Sequence, residues 1–131
     1  MKLRKFLLLV VTVGYINQLS AQNLTIIPEP FHVAKGTGVF QFPKSIAIDA
    51  PSGANEVADQ IAKQLKTVTG KTISFSKNAP SITLDIIKDD VIGNEGYTLN
   101  VNATGILISA NTNAGLFYGW QTVQQIMPAA I

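Results

Sequence analysis

Two stretches of this sequence repeat their apolar residues every three or four positions, and short runs that alternate polar and apolar residues surround them. The helical stretches are Ser52–Thr69 and Asn113 to about Met127. The alternating runs are Ser45–Asp49, Thr72–Phe75, Ile82–Ile86, Tyr97–Val101 and Ile106–Ala110. The order strands, helix, strands, helix predicts an α+β domain of two layers, in which two helices pack on a mixed β-sheet.

The ends of these elements carry local signals. Ser52 or Asn55 is predicted to cap the first helix, and Gly70 to end it in a left-handed conformation. The first helix has one apolar stripe, formed by Ala54, Val57, Ala58, Ile61, Leu65 and Val68. Asn113 is the expected cap of the second helix, and Pro128 its end. The turn at Asn102–Gly105 predicts antiparallel pairing of the last two strands.

The segment before Ser45 is less regular. Leu24–Ile27 is a short β-type run stopped by Pro28, which predicts an edge strand or a lead-in. Phe31–Val33 and Val39–Phe42 flank a loop with two glycines, and this pattern predicts a β-hairpin.

Residues 1–21 have the pattern of a secretory signal peptide. Three basic residues precede the run FLLLVVTV at Phe6–Val13, and Leu19-Ser20-Ala21 offers small residues for cleavage before Gln22. The run is shorter than the roughly 20 residues that span a bilayer, which disfavours an uncleaved anchor. Residues 22–131 are therefore the predicted domain, with an exported location in the periplasm or outside the cell.

Composition excludes several functions for the predicted domain. The whole chain has 10 basic and 8 acidic residues, but three of the basic ones lie in the leader, so the domain has no basic footprint for nucleic acid. The sequence contains no cysteine, which excludes disulfides and thiolate chemistry.

No catalytic, cofactor-binding or metal site is predicted in this chain. His32 is the only histidine, so a multi-histidine metal site is impossible. Asp89 and Asp90 are adjacent, with Glu95 close behind, but neighbouring residues in an extended chain point in opposite directions, and a solvated loop is expected. Four phenylalanines are predicted core positions, with a sugar-stacking platform as the alternative: Phe31, Phe40, Phe42 and Phe75.

The closing stretch GLFYGWQTVQQIMP resembles the end of the small N-terminal domain of family 20 glycoside hydrolases, the β-N-acetylhexosaminidases. The positions that fit the pattern GxxYGxQTxxQxxP are Gly115, Tyr118, Gly119, Gln121, Thr122, Gln125 and Pro128. The stretches IIPEP, TGVFQF, LKTVTGKTI, EGYTLNV and GILISANTNAG resemble other parts of that domain in the same order. Similar domains also precede the barrels of some family 84 enzymes and α-glucuronidases.

The resemblance implies a hexosaminidase N-terminal-domain fold, a parent enzyme that cleaves amino-sugar glycans, and a catalytic (β/α)8 barrel that follows the domain. In that family the barrel carries an Asp-Glu pair, in which the Glu is the general acid and the Asp orients the substrate's own acetamido nucleophile. None of those positions exists here, so this chain is expected to be an inactive fragment that lacks the barrel.

The closing helix is predicted to contact that barrel, because its apolar arc is wider than one sheet face requires. Leu116, Trp120, Val123 and Met127 form one stripe, while Phe117, Tyr118 and Ile126 lie outside it. The predicted contact residues are Leu116, Phe117, Trp120, Val123 and Met127. The alternative is a closing helix that is deeply buried in its own domain, because wide apolar stripes also occur in ordinary cores. The alternative to this accessory domain is a free-standing periplasmic module that binds a glycan or a protein.

Overall fold

A computed structural model describes residues 25–128 of the chain. They form five strands and two helices, with a single 3-10 turn at Ser52–Ala54 before the first helix. The strands are β1 (Ser45–Asp49), β2 (Thr72–Phe75), β3 (Ile82–Ile86), β4 (Tyr97–Asn102) and β5 (Gly105–Ala110), and the helices are α1 (Asn55–Thr69) and α2 (Asn113–Ile126). The predicted signal peptide lies outside the described residues.

The five strands form one mixed sheet in the order β2-β1-β3-β5-β4. β1 is parallel to both β2 and β3, and β3 is parallel to β5. The β4–β5 pair is antiparallel, with Tyr97 opposite Ala110 and Asn102 opposite Gly105, which confirms the predicted hairpin. The two-layer α+β prediction is therefore correct.

One face of the sheet carries the core, and both helices cover it. Side chains that alternate along the strands point to the helices, and the register places Ile48 beside Ile82 and Leu84 beside Ile108. On the opposite face, Ser74, Asp85 and Asn100 are exposed, as a two-layer arrangement requires. The buried apolar core is Ile46, Ile48, Ala54, Val57, Ala58, Ile61, Leu65, Ile82, Leu84, Ile106, Ile108, Ala110, Leu116, Trp120 and Val123.

The first helix follows its predicted stripe except at one position and at its start. Val68 is 65% exposed and lies on the outer surface of α1. Neither Ser52 nor Asn55 caps the helix, because the 3-10 turn leads directly into it and Asn55 is already helical. Gly70 has φ 65° and its N–H donates to the carbonyl of Lys66, so the predicted left-handed end is confirmed.

The second helix is capped by Thr112 and not by Asn113. Thr112 has an extended backbone and its hydroxyl accepts from the N–H of Gly115 at 3.3 Å. Asn113 is the first helical residue, and its side-chain N–H donates to the carbonyl of Gly53 at 2.9 Å. The Asn113 amide thus connects α2 to the turn before α1 instead of capping its own helix.

The N-terminal segment contains no strand between residues 25 and 44, so the predicted hairpin is wrong. A residue outside this segment binds its backbone, since the Lys71 ammonium donates to the carbonyl of Phe42 at 2.7 Å. Phe40 and Phe42 form an edge-to-face pair with centroids 5.0 Å apart and pack against the core. Aromatic contact with the core therefore replaces strand pairing in this segment.

Candidate functional site

The acidic residues and the histidine do not converge on a reaction centre. His32, Asp90 and Glu95 are exposed, and the Asp89 carboxylate accepts from the N–H of Val91 at 2.9 Å in a local turn. Within residues 25–128, no group of three or more His, Cys, Asp or Glu side chains is close enough to hold a metal ion. Neither helix of this region is long and apolar enough to cross a membrane.

The acidic loop has a structural role, because the side chains of the two residues that follow β5 hold it in place. The Asn111 amide accepts from the N–H of Asp89 at 2.7 Å and donates to the carbonyls of Asp89 and Gly93 at 2.6 and 2.7 Å. The Thr112 hydroxyl donates to the carbonyl of Asn94. The loop of residues 87–96 is thus fixed over the start of α2.

The glycines of the closing motif bring α2 close to the sheet. A Cβ on Gly115 would lie 2.7 Å from the Ala110 Cβ and would also clash with the carbonyl oxygen of Gly96. A Cβ on Gly119 would clash with Ile108 and lie 3.2 Å from the Tyr97 ring. Both positions therefore require glycine for the close approach of the helix to β4 and β5.

Polar residues of the same motif fix the position of α2. The Thr122 and Tyr97 hydroxyls are 2.5 Å apart and share a hydrogen bond between α2 and β4. The Gln125 side chain accepts from the N–H of Ile27 at 2.8 Å and donates to the carbonyl of Ile27 at 3.0 Å. The motif is therefore explained by packing and hydrogen bonding within this domain, without a catalytic role.

Trp120 joins the two helices beneath their outer surface. It is 1% exposed, and its indole N–H donates to the Gln64 side-chain oxygen at 2.6 Å. The Gln124 amide donates to the same oxygen at 3.2 Å. Sequence reasoning missed Gln64, although a glutamine beside an apolar stripe can satisfy a buried indole N–H.

This arrangement corrects the predicted barrel contact. Leu116, Trp120 and Val123 are 0–1% exposed and belong to the domain's own core, so the prediction is wrong for these three. Met127 is partly buried and also packs against that core. Phe117 remains partly exposed, and Tyr118 beside it is 44% exposed, with ring centroids 6.0 Å apart.

An open groove of about 550 Å³ runs between the outer surfaces of α1 and α2. Val68 and Phe117 supply its large apolar side chains, and amide, hydroxyl and ammonium groups supply the rest. Its lining residues are Gln60, Lys63, Gln64, Thr67, Val68, Phe117 and Gln124. An aromatic ring and an aliphatic side chain thus lie among polar groups on the outer surface of the two helices.

The four phenylalanines do not share one environment. Phe40 and Phe42 pack against the core, as the core prediction requires. Phe75 is 57% exposed at the edge strand β2, and Phe31 is fully exposed in the N-terminal segment. The core prediction is thus wrong for Phe31 and Phe75. Phe40 and Phe42 are partly buried against the core, so the four rings do not form the alternative sugar-stacking platform together.

Comparison with known proteins identifies the kind of domain. The family model described as "Glycosyl hydrolase family 20, domain 2" matches residues 23–130. Lacto-N-biosidase from Bifidobacterium bifidum is 32% identical over 83 residues, which cover 63% of this chain and 7% of that protein.

Solved structures agree with the family match. The N-acetyl-β-hexosaminidase of Streptomyces plicatus, in complex with thio-NAglucal, has a TM-score of 0.70 and 31% identity, covering 79% of this chain and 21% of that chain. The β-N-acetylhexosaminidase of Streptomyces coelicolor A3(2) has a TM-score of 0.66 and 31% identity, covering 72% and 19%. The chain thus spans about a fifth or less of each of these relatives, and it belongs to glycosyl hydrolase family 20 as that family's domain 2.

Proposed function

We propose that this chain is the accessory N-terminal domain of an exported β-N-acetylhexosaminidase, a glycosidase that releases terminal N-acetylhexosamine. The family match over residues 23–130 carries this proposal, together with two similar solved structures that are named as hexosaminidases. The scattered positions of His32, Asp90 and Glu95 support a non-catalytic role for the chain. The catalytic Asp-Glu pair would then lie in a barrel outside this chain.

The barrel is proposed to dock on the outer surface of the two helices, across the groove between them. Phe117 and Val68 line the groove and Tyr118 is exposed beside Phe117, while the buried residues of α2 serve the domain itself. Contacts between domains of one chain commonly cover roughly 600–1,500 Å², which two helices can supply. The domain's task in this proposal is to support the barrel.

The proposal also includes export, because the predicted leader at residues 1–21 has the charge and apolar pattern of a signal peptide. Cleavage after Ala21 would leave Gln22 as the first residue of the exported protein.

One expression experiment tests these statements together. The complete reading frame, with its leader, is expressed in an exporting bacterial host beside a truncated frame that stops after Ile131. We expect the complete product in the exported fraction to begin at Gln22 and to hydrolyse a chromogenic N-acetylglucosaminide, and the truncated product to show no turnover. Turnover by the truncated product, or a complete frame that encodes no barrel with an Asp-Glu pair, would overturn the proposal. A product that keeps residues 1–21 would overturn the export statement.

A further inference from the structure

Exposed apolar side chains are concentrated in residues 25–44, here called the strap. The exposed fractions are 108% for Phe31, 77% for Val39, 74% for Ile27 and 51% for Val33. Single exposed apolar residues are common on protein surfaces, but four of them lie in this one short segment. The strap therefore presents a surface that the rest of the domain does not cover.

The strap is anchored at both ends, although it forms no regular structure. At its start, the Gln125 amide bonds both the N–H and the carbonyl of Ile27, at 2.8 and 3.0 Å. At its end, the carbonyl of Phe42 accepts from the Lys71 ammonium, and the Phe42 ring packs against the core. The segment is thus attached to the domain at both ends, while Phe31, Val33 and Val39 between these ends are exposed.

The first anchor lies at the last turn of α2. Gln125 stands three positions before Pro128, at which the helix has ended. The strap therefore begins beside the end of α2, which in the proposed function is the end that leads to the barrel. Covalent connection gives a tethered neighbour a high effective concentration at such a position.

We propose that the strap is a second contact surface for the catalytic barrel, separate from the groove between α1 and α2, and that Gln125 is the positioning residue that holds the strap for this contact. This inference rests on the proposed function. The barrel is favoured over a lipid surface because the strap carries Glu29 beside Lys35 and Lys44, and so lacks the basic cluster that attracts anionic lipids. Its anchoring beside the end of α2 favours the tethered barrel over a second copy.

Hydroxyl-radical footprinting of phenylalanine side chains tests the strap directly. Oxidation rates are measured in residues 22–131 alone and in the product of the complete reading frame. We expect the rate at Phe31 to fall several-fold in the complete protein, and the rate at Phe117 to fall as well, since the proposed groove contact covers it. Phe75, which is 57% exposed on the edge strand, is the control and should keep its rate.

Two variants of the complete protein separate the strap from the rest of the contact. Gln125→Ala removes both hydrogen bonds to Ile27 and should restore fast oxidation of Phe31, while Phe117 stays protected. Asn100→Ala, which removes an exposed amide on the sheet face opposite the helices, should leave both rates unchanged. Loss of Phe31 protection in both variants would contradict the positioning role of Gln125.

The outcomes distinguish this inference from the proposed function. Protection of Phe117 with an unchanged rate at Phe31 would overturn the strap inference and leave the proposed function standing. Unchanged rates at both residues would overturn the strap inference and the proposed groove contact together. Protection of Phe31 that rises with the concentration of residues 22–131 alone would assign the strap to a second copy, and protection by anionic vesicles would assign it to a lipid surface; either result would overturn the inference.

Discussion

Trp120→Ala is expected to lower the free energy of unfolding of residues 22–131 by about 3–5 kcal/mol, the range for removal of a large buried aromatic side chain. The ring is 1% exposed within this domain alone, so its contacts do not depend on a neighbouring barrel. The change also leaves the Gln64 side-chain oxygen without its 2.6 Å donor. Urea denaturation followed by far-UV circular dichroism measures the difference.

Two further variants make this result specific. Trp120→Phe keeps most of the ring but removes the indole N–H, and should cost less than Trp120→Ala, about 1–3 kcal/mol. Tyr118→Ala, at a neighbouring position that is 44% exposed, should cost below about 1 kcal/mol. A small loss for Trp120→Ala, comparable with that of Tyr118→Ala, would show that the indole serves a partner and not this core.

Gly115→Ala is expected to destabilise the same domain by about 2–3 kcal/mol, the upper part of the range for overpacking a closed site. In an exposed helix the same change would stabilise by roughly 0.5–1 kcal/mol, because alanine is the better helix former. Here the new Cβ would lie 2.7 Å from the Ala110 Cβ and would clash with the carbonyl of Gly96, so steric strain outweighs helix propensity.

Gly36→Ala is the matched control for that change. A Cβ at Gly36 would meet no atom within 4 Å, so the expected change in the free energy of unfolding is within about 0.5 kcal/mol. Denaturation curves of the two variants and the parent give the comparison. Stabilisation by Gly115→Ala would contradict the close packing of α2 on β5.

The sequence was sufficient for the elements whose apolar period continues over several residues. The stripe of α1 and the alternation in β3 predicted their positions because burial on one face requires that spacing. The parallel pairing of β1 with β2 and β3 could not be predicted, because strand order depends on contacts between distant residues. The turn at Asn102–Gly105 is local, and the β4–β5 hairpin was therefore predicted correctly.

Two predictions were wrong because a pattern that is local in the sequence arises from contacts between distant residues. Aromatic and glycine residues near Gly36 suggested a hairpin, but the Phe42 carbonyl bonds to the distant Lys71 and the Phe42 ring packs on the core. The apolar arc of α2 suggested a surface for a partner, whereas Trp120 fills space above the domain's own sheet. Which part of a wide arc faces inward depends on the approach of the helix, and here Gly115 and Gly119 set that approach.

The hydrogen bonds made by Gln125 and Gln64 could not be predicted from the sequence either. Gln125 bonds to Ile27, which is 98 positions away, and Gln64 bonds to Trp120, 56 positions away. Glutamine on a helix is usually solvated, so its residue type alone does not indicate such a partner. The closing motif did indicate the family. The structure shows that four of its residues position α2, namely Gly115, Gly119, Thr122 and Gln125.

Docking of the outer helix surface on a barrel is tested by the stability effect of Phe117→Asp, measured in the isolated domain and in the complete protein. Phe117 is partly buried in the isolated domain, so the change should lower the free energy of unfolding of residues 22–131 by about 1–2 kcal/mol. In the product of the complete reading frame the carboxylate would be buried in the groove contact without a partner, and the loss in the same domain should rise to about 3 kcal/mol or more. Urea denaturation of both proteins, monitored by hydrogen exchange at the amides of α2, gives the loss of unfolding free energy in each protein. A clearly larger loss of unfolding free energy in the complete protein is the predicted result. Equal losses in the two proteins would contradict docking of the outer helix surface on a barrel.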